Sequence, residues 1–259
     1  MNNIVYLEKI LKNLEDGISS AMVILTSNKG SIPGKKGAIM LVTEAEVLGT
    51  IGGGRIEFEI IEKAKECIKN DKSEDFVSSF SSKNGLACGG ETTGFIKVFS
   101  PQKKLIIFGS GHVGRQIALA AKNLDFEIIV VDDREEYKTL PEFEHVTYYS
   151  CTNNEVKEKI NLKNSYIIVT TRGHKLDEEV LEVVLNNNAA YIGMIGSRSK
   201  VNTVFNSLKE KGYSEELLSS VYSPIGLKID NGTPEEIAFS ILSQVLMIKN
   251  KLDGNSLSI

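Results

Sequence analysis

At 259 residues, with 41% hydrophobic and 25% charged side chains, the chain is long enough for one or two domains, each with a buried core. Its net charge of −4 is evenly spread, with 12 Lys and Arg against 13 Asp and Glu in residues 1–101 and 18 against 21 in the rest, so a basic footprint for nucleic acid is missing. The three cysteines, Cys67, Cys88 and Cys151, form neither a CxxC nor a zinc-ligand spacing, which argues against a disulfide framework.

No apolar run approaches the roughly 18 residues of a membrane span. Met1-Asn-Asn-Ile-Val-Tyr-Leu-Glu-Lys9 lacks the basic start and apolar core of a signal peptide. The expectation is a cytoplasmic protein with no membrane partner and no nucleic-acid partner.

Ile4, Leu7, Ile10, Leu11 and Leu14 recur at helical spacing, and Ser20 to Ser27 is a strand candidate. The turn-rich stretch Asn28 to Gly37 follows, with three glycines and a proline. Ala38–Val42 and Val47–Ile51 have the pattern of a hairpin. Gly52-Gly53-Gly54 then breaks the chain before a helix over Arg55 to Asn70, with Ile56, Ile60, Ile61, Ala64 and Ile68 inward. Strands are predicted at Phe76–Phe80 and Thr93–Phe99, separated by Ser81 to Gly90. Pro101-Gln102-Lys103-Lys104 marks a boundary between domains 1–101 and 102–259.

In the second part an apolar run over Lys104 to Phe108 breaks into Gly109-Ser-Gly111-His112-Val-Gly114. A helical pattern carrying Val113, Ile117, Ala120, Ala121 and Leu124 on one face comes next. A second apolar run, Ile128 to Val131, ends on Asp132 and Asp133. Strand, tight glycine turn, helix and strand make a Rossmann-type unit, whose glycines let a pyrophosphate approach the backbone at the helix N-terminus. Asp132 lies 23 residues past Gly109, near the spacing of about 20 at which a carboxylate holds a ribose hydroxyl. Asp132 would then favour NAD over NADP.

Further strands are predicted at 145–149, 166–170 and 189–194, and helices at 175–187, 197–211 and 234–250. The last helix opens on Thr233-Pro234-Glu235-Glu236, where Glu236 can bond back to the Thr233 amide in a capping box. Alternating strand and helix implies a parallel sheet covered on both faces. The fold class is therefore α/β, an N-terminal α+β domain followed by a Rossmann-like, doubly wound parallel sheet.

Three successive glycines cost backbone entropy on ordering. At the N-terminus of a helix they suggest an anion site at Gly52, Gly53, Gly54 and Arg55, or else a tight connection. Cys88, beside Gly89 and Gly90 in a polar loop, is either an exposed nucleophile or soft-metal ligand, or a buried inert thiol. Thr171-Arg172-Gly173-His174 stands at a strand end, where open α/β sheets bind ligands. His174 is then an acid/base group or a solvated helix-cap residue, with Asp177 three positions on. His112 projects toward the nucleotide cleft, Arg198 is a phosphate contact or a solvated arginine, and His145 is structural.

Gly30-Ser31-x-Pro33-x-x-x-Gly37-Ala38, Gly49-Thr-Ile-Gly-Gly-Gly54, Cys88-Gly-Gly90, Gly109-x-Gly-His-Val-Gly114, Val130-Val-Asp-Asp-Arg134, Thr171-Arg-Gly-His174 and Gly193-Met-Ile-Gly-Ser197, in this order, resemble the XdhC/CoxI family of molybdenum hydroxylase maturation factors. The resemblance implies a non-catalytic chaperone that binds molybdenum cofactor (molybdopterin), protects it while an oxo ligand is exchanged for sulfur, and hands it to an apo-hydroxylase such as xanthine dehydrogenase. It also implies a homodimer, with a cysteine desulfurase as a second candidate partner.

By motif matching, the cofactor-handling residues would be Gly52, Gly53, Gly54 and Arg55 with Cys88, Gly89 and Gly90, Cys88 being the metal ligand. The family usually has cysteine directly after the triple glycine, where this chain has Arg55. Arg55 would instead clamp the pterin phosphate. The alternative function is an NAD(P)-dependent oxidoreductase. It would bind NAD(P) or another nucleotide through Gly109, Gly111, His112, Gly114, Asp132 and Arg172, with His174 as acid/base.

Overall fold

The structure, a computed structural model, describes residues 3–29, 34–79 and 90–255. The chain divides into two compact units, Met1–Pro101 and Gln102–Ile259.

The N-terminal unit begins with α1 (Asn3–Glu15), followed by β1 (Ser20–Lys29), the hairpin strands β2 (Ile39–Val42) and β3 (Val47–Gly49), α2 (Gly54–Asn70), β4 (Glu74–Ser79) and β5 (Glu91–Phe99). The five strands form an antiparallel sheet in the order β3-β2-β1-β5-β4. Along β1, Ala21, Val23 and Leu25 face a core closed by Ile56, Ile60 and Ala64 of α2. Met22 faces the other side, where Tyr6 and Ile10 of α1 pack on Leu41. The predicted inward set of α2 is nearly the observed one, with Ile61 and Ile68 only partly buried. In α1 the apolar spacing is only partly followed: Ile10 and Leu14 face the core, but Ile4, Leu7 and Leu11 are exposed while Tyr6 and Asn13 are buried.

The C-terminal unit contains β6 (Lys104–Phe108), α3 (His112–Ala121), β7 (Glu127–Asp132), β8 (Thr147–Ser150), α4 (Val156–Lys159), β9 (Tyr166–Val169), α5 (His174–Val184), β10 (Tyr191–Met194), α6 (Arg198–Glu210), α7 (Glu215–Ser219) and α8 (Pro234–Lys249). Its sheet is parallel throughout, in the order β10-β9-β6-β7-β8. Tyr166–Val169 and Tyr191–Met194 are buried at every position, as expected of strands covered on both faces. Leu105 and Ile107 pack under Ile117 of α3 and Ile241 of α8. Ile106 and Phe108 pack on the other face under Val180 and Leu181 of α5 and Val204 of α6.

Two local expectations change. His145 precedes β8 rather than beginning it, and its Nε2 bonds the Ala118 carbonyl at 2.8 Å. At α8 the Thr233 hydroxyl accepts from the Glu236 amide at 3.3 Å, but Glu236 reaches the Asn231 amide at 2.8 Å instead of that of Thr233. A complete capping box stands at Thr152 and Glu155.

Candidate functional site

The strand order reverses between β6 and β9, and the loops leaving their carboxyl ends frame a crevice at this switch point. Each glycine of the turn has a separate cause. Gly109 has φ +109°, and a Cβ there would lie 2.4 Å from the Thr170 carbonyl oxygen. A Cβ at Gly114 would lie 1.9 Å from the Gly109 carbonyl oxygen, so this glycine lets α3 pack against β6. A Cβ at Gly111 meets nothing within 4 Å. Gly111 is thus not demanded by the packing of the chain, and its open side is where a ligand would come close.

The Gly111 carbonyl accepts the first helical bond of α3, from the Arg115 amide at 2.9 Å. The amides of His112, Val113 and Gly114 precede the first acceptor four residues back and stand at the positive end of the helix. A cavity of about 380 Å³ lies over them, lined by His112, Arg115, Arg134, Tyr137, Thr171 and Arg172 among others. A smaller cavity of about 100 Å³ adjoins it beside Asp132, Asp133, Cys151, Asn153 and Glu179, sharing Arg134, Thr171 and Arg172.

Asp132 is buried at the end of β7, and both of its oxygens are engaged. Oδ1 accepts from the Arg134 amide at 3.0 Å and from Arg134 Nε at 2.7 Å; Oδ2 accepts from the Ser110 amide and Arg134 Nη2, each at 2.7 Å. A carboxylate has about four acceptor sites, so Asp132 as placed has none left for a ribose diol. Burial alone would raise its pKa, but these charged and amide donors hold it well below the usual carboxylate range. The carboxylate expected to meet a ribose is thus engaged in an internal ion pair with Arg134.

The cations are organised around the same point. The guanidinium carbons of Arg134 and Arg115 lie 4.4 and 4.7 Å from the centroid of the Tyr137 ring. Arg115 Nε donates to the Ser110 carbonyl at 3.2 Å. Arg172 Nη2 bonds Asp133 Oδ2 at 2.6 Å, linking the loops after β9 and β7. Beneath them Thr171 Oγ1 donates to Asp177 Oδ1 at 2.6 Å, and the ammonium of Lys200 pairs with Asp177 Oδ2. Asp177 is fully buried, so the Asp177–Lys200 pair ties α5 to the first turn of α6 directly under the crevice.

Gly109, Gly111, His112, Asp132 and Arg172 line the two cavities, and Gly114 shapes the turn. His174 does not join them; it is exposed at the first position of α5, while Asp177 one turn on is buried. Arg115, Arg134 and Tyr137 were missed as site residues. The only available signal was Arg134 directly after the two aspartates and Arg115 directly after the third glycine.

In the N-terminal unit Gly52, Gly53 and Gly54 all have positive φ, at 136°, 80° and 75°. Their loop does gather amides around an anion, but that anion is internal. Glu57 Oε2 accepts from the amides of Ile51 and Gly53, each at 2.9 Å, and from the Thr50 hydroxyl. Partial burial would raise the Glu57 pKa, yet the bonds from Thr50 and from the Ile51, Gly53 and Gly52 amides bring it below the usual value. Arg55 is exposed and donates to Glu59 at 2.8 Å. The anion site expected at this loop is thus filled by Glu57, with Arg55 engaged elsewhere. Cys88 and Gly89 lie outside the described residues; Gly90 is buried next to the start of β5.

The XdhC Rossmann domain matches residues 105–245, more than half of the chain, and the XdhC and CoxI family matches residues 14–80. The chain belongs to the XdhC/CoxI family. It is 29% identical to the uncharacterized protein YqeB of Escherichia coli K12 over 93% of its own length and 45% of that protein. It is 27% identical to a probable xanthine dehydrogenase component of Bacillus subtilis over 62% of its length and 47% of that protein. This XdhC-family chain therefore spans less than half the length of these curated relatives. A crystal structure of a xanthine dehydrogenase from Bacillus halodurans shares the fold over 99% of this chain and 98% of that one, with a TM-score of 0.53 and 20% identity.

Proposed function

We propose that the chain is a maturation factor for a molybdenum hydroxylase. It holds the molybdenum cofactor while an oxo ligand is replaced by sulfur, and it delivers the cofactor to the apoenzyme. The observation that carries this reading is the match to both family regions in order along one chain, 14–80 and 105–245. The name of the Bacillus subtilis relative points to a hydroxylase of the xanthine dehydrogenase type as the client. A cysteine desulfurase as sulfur donor and a homodimeric assembly belong to the same proposal.

Assignment of Gly52, Gly53, Gly54, Arg55, Cys88, Gly89 and Gly90 to the cofactor rests on the family resemblance. The described part of this loop does not fit a phosphate as it stands, because Glu57 fills the converging amides and Glu59 holds Arg55. When bound, the cofactor would supply the molybdenum centre that the client hydroxylase uses. The role of this chain is binding and protection.

The switch-point cleft supports a second reading, an NAD(P)-dependent oxidoreductase. His174, the acid/base it would use, lies outside both cavities, which weakens it. A transfer assay separates the two. Purified chain co-expressed with cofactor synthesis should restore activity to an apo-hydroxylase in proportion to the chain added. Absence of any restoration, together with nicotinamide-dependent turnover by the chain alone, would replace the first reading with the second.

A further inference from the structure

The cleft has a chemical preference that the glycine motif alone does not give. A dinucleotide site of the NAD type needs an acceptor for the ribose diol at the end of the second strand. Here that acceptor, Asp132, is filled on both oxygens by Arg134 and the Ser110 amide. What faces the cavity in its place is positive charge from three elements: Arg115 on α3, Arg134 after β7 and Arg172 after β9. Asp132 and Asp133 balance Arg134 and Arg172. Among the described residues no carboxylate pairs with Arg115, whose bonds run to the Ser110 carbonyl and the Tyr137 ring. Arg115 thus brings an uncompensated positive charge to the cavity, which an anionic ligand would neutralise. The first-turn amides of α3 open onto the same space, and the bare side of Gly111 gives a ligand room there.

We propose that this cleft is a phosphomonoester site, in which Arg115, Arg134 and the amides of His112 and Val113 receive a phosphate carried on a ribose or at the end of a pterin side chain. Arg134 has a double function. It masks Asp132 from an unphosphorylated ribose and presents its remaining N–H groups to the phosphate. The ligand preference is therefore set by a side chain that both rejects the diol and attracts the phosphate. The pterin source rests on the maturation reading, whereas the ribose source does not.

Calorimetry on the full chain with two matched pairs tests this, NADP⁺ against NAD⁺ and a pterin monophosphate against the same pterin without phosphate. In at least one pair the phosphorylated member should bind about ten- to a hundredfold tighter, as a charge-assisted contact implies. The pair with the larger advantage identifies the source, nucleotide or pterin. Arg115→Ala should remove most of that advantage while the melting temperature stays close to that of the unmodified chain. Arg134→Ala should reduce the advantage and also raise affinity for NAD⁺, because it exposes Asp132. Equal binding within both pairs, no binding of any of the four compounds, or an advantage untouched by Arg115→Ala would each overturn the proposal.

Discussion

Arg134 grips Asp132 with Nε on one carboxylate oxygen and Nη2 on the other, both at 2.7 Å, two residues apart in the chain. This fork fixes the loop after β7 and, through the Ser110 amide on Asp132, the glycine turn after β6. One ion pair thus holds both walls of the cleft. Its effect on pH dependence has a definite sign. Asp132 has a folded-state pKa below its unfolded value of about 3.9, so its stabilisation is fully present above that value and is lost as pH falls below it. Asp132→Asn should lower the melting temperature at pH 7, and its deficit against the unmodified chain should shrink as pH drops below about 4. A deficit that is constant with pH would show that the carboxylate charge is not what holds the turn.

Gly111 and Gly114 lie three residues apart and should respond oppositely. Gly111→Val places a side chain where nothing stands within 4 Å. The fold and melting temperature should be nearly unchanged, and ligand binding in the cleft should be lost. Gly114→Ala drives a methyl to 1.9 Å from the Gly109 carbonyl oxygen, and should cost about 1–3 kcal/mol or more through displacement of α3. Thermal melts and calorimetry on the two variants separate shape from binding.

Glu57 is the anion of its own loop. Glu57→Ala removes a charged acceptor from the Ile51 and Gly53 amides, and such bonds are worth about 1.5–3 kcal/mol each at most. The variant should melt lower in phosphate-free buffer and recover part of the loss in inorganic phosphate, which can enter the freed amide cluster. The unmodified chain should show a smaller phosphate response. If phosphate stabilises both equally, the triple-glycine loop is not an anion cradle in either state.

Lys200 pairs with a carboxylate that has no exposure of its own. Lys200→Met leaves Asp177 buried with only Thr171 as donor, a change that costs about 3–5 kcal/mol for a broken buried pair. The double variant Asp177→Asn with Lys200→Met should recover much of that loss. Urea unfolding of the single and double variants measures the coupling directly. Additive losses would mean that the pair is not a unit.

Much of the architecture was legible because it follows from periodicity. Strands β6, β7, β9 and β10 are largely apolar runs, as a doubly covered parallel sheet requires, whereas the edge strand β8, Thr147–Ser150, is not, and the glycines after β6 mark the crevice. Gly109 to Gly114 and Asp132 could be placed at one site from spacing alone. What spacing does not carry is which partner a charged side chain chooses. Spacing reads Asp132 as the acceptor for a ribose, and that Arg134 engages it instead is decided only in three dimensions. The same holds for Glu57, whose place in the first turn of α2 gave no sign that it would curl back onto Ile51 and Gly53. In α1, Ile4, Leu7, Ile10, Leu11 and Leu14 have helical spacing, but of these only Ile10 is buried and Leu14 packs beside it; the second anchor is Tyr6, because the sheet face accepts the phenol whose hydroxyl reaches the Ile39 carbonyl at 3.0 Å.

The most direct test of the maturation role is the molybdenum and pterin content of the full chain purified after co-expression with cofactor synthesis. The account predicts molybdenum and a phosphorylated pterin that co-purify with the protein in equal amounts and leave it when an apo-hydroxylase is added. Protein free of both, under conditions where the same cells load a hydroxylase with cofactor, would contradict it.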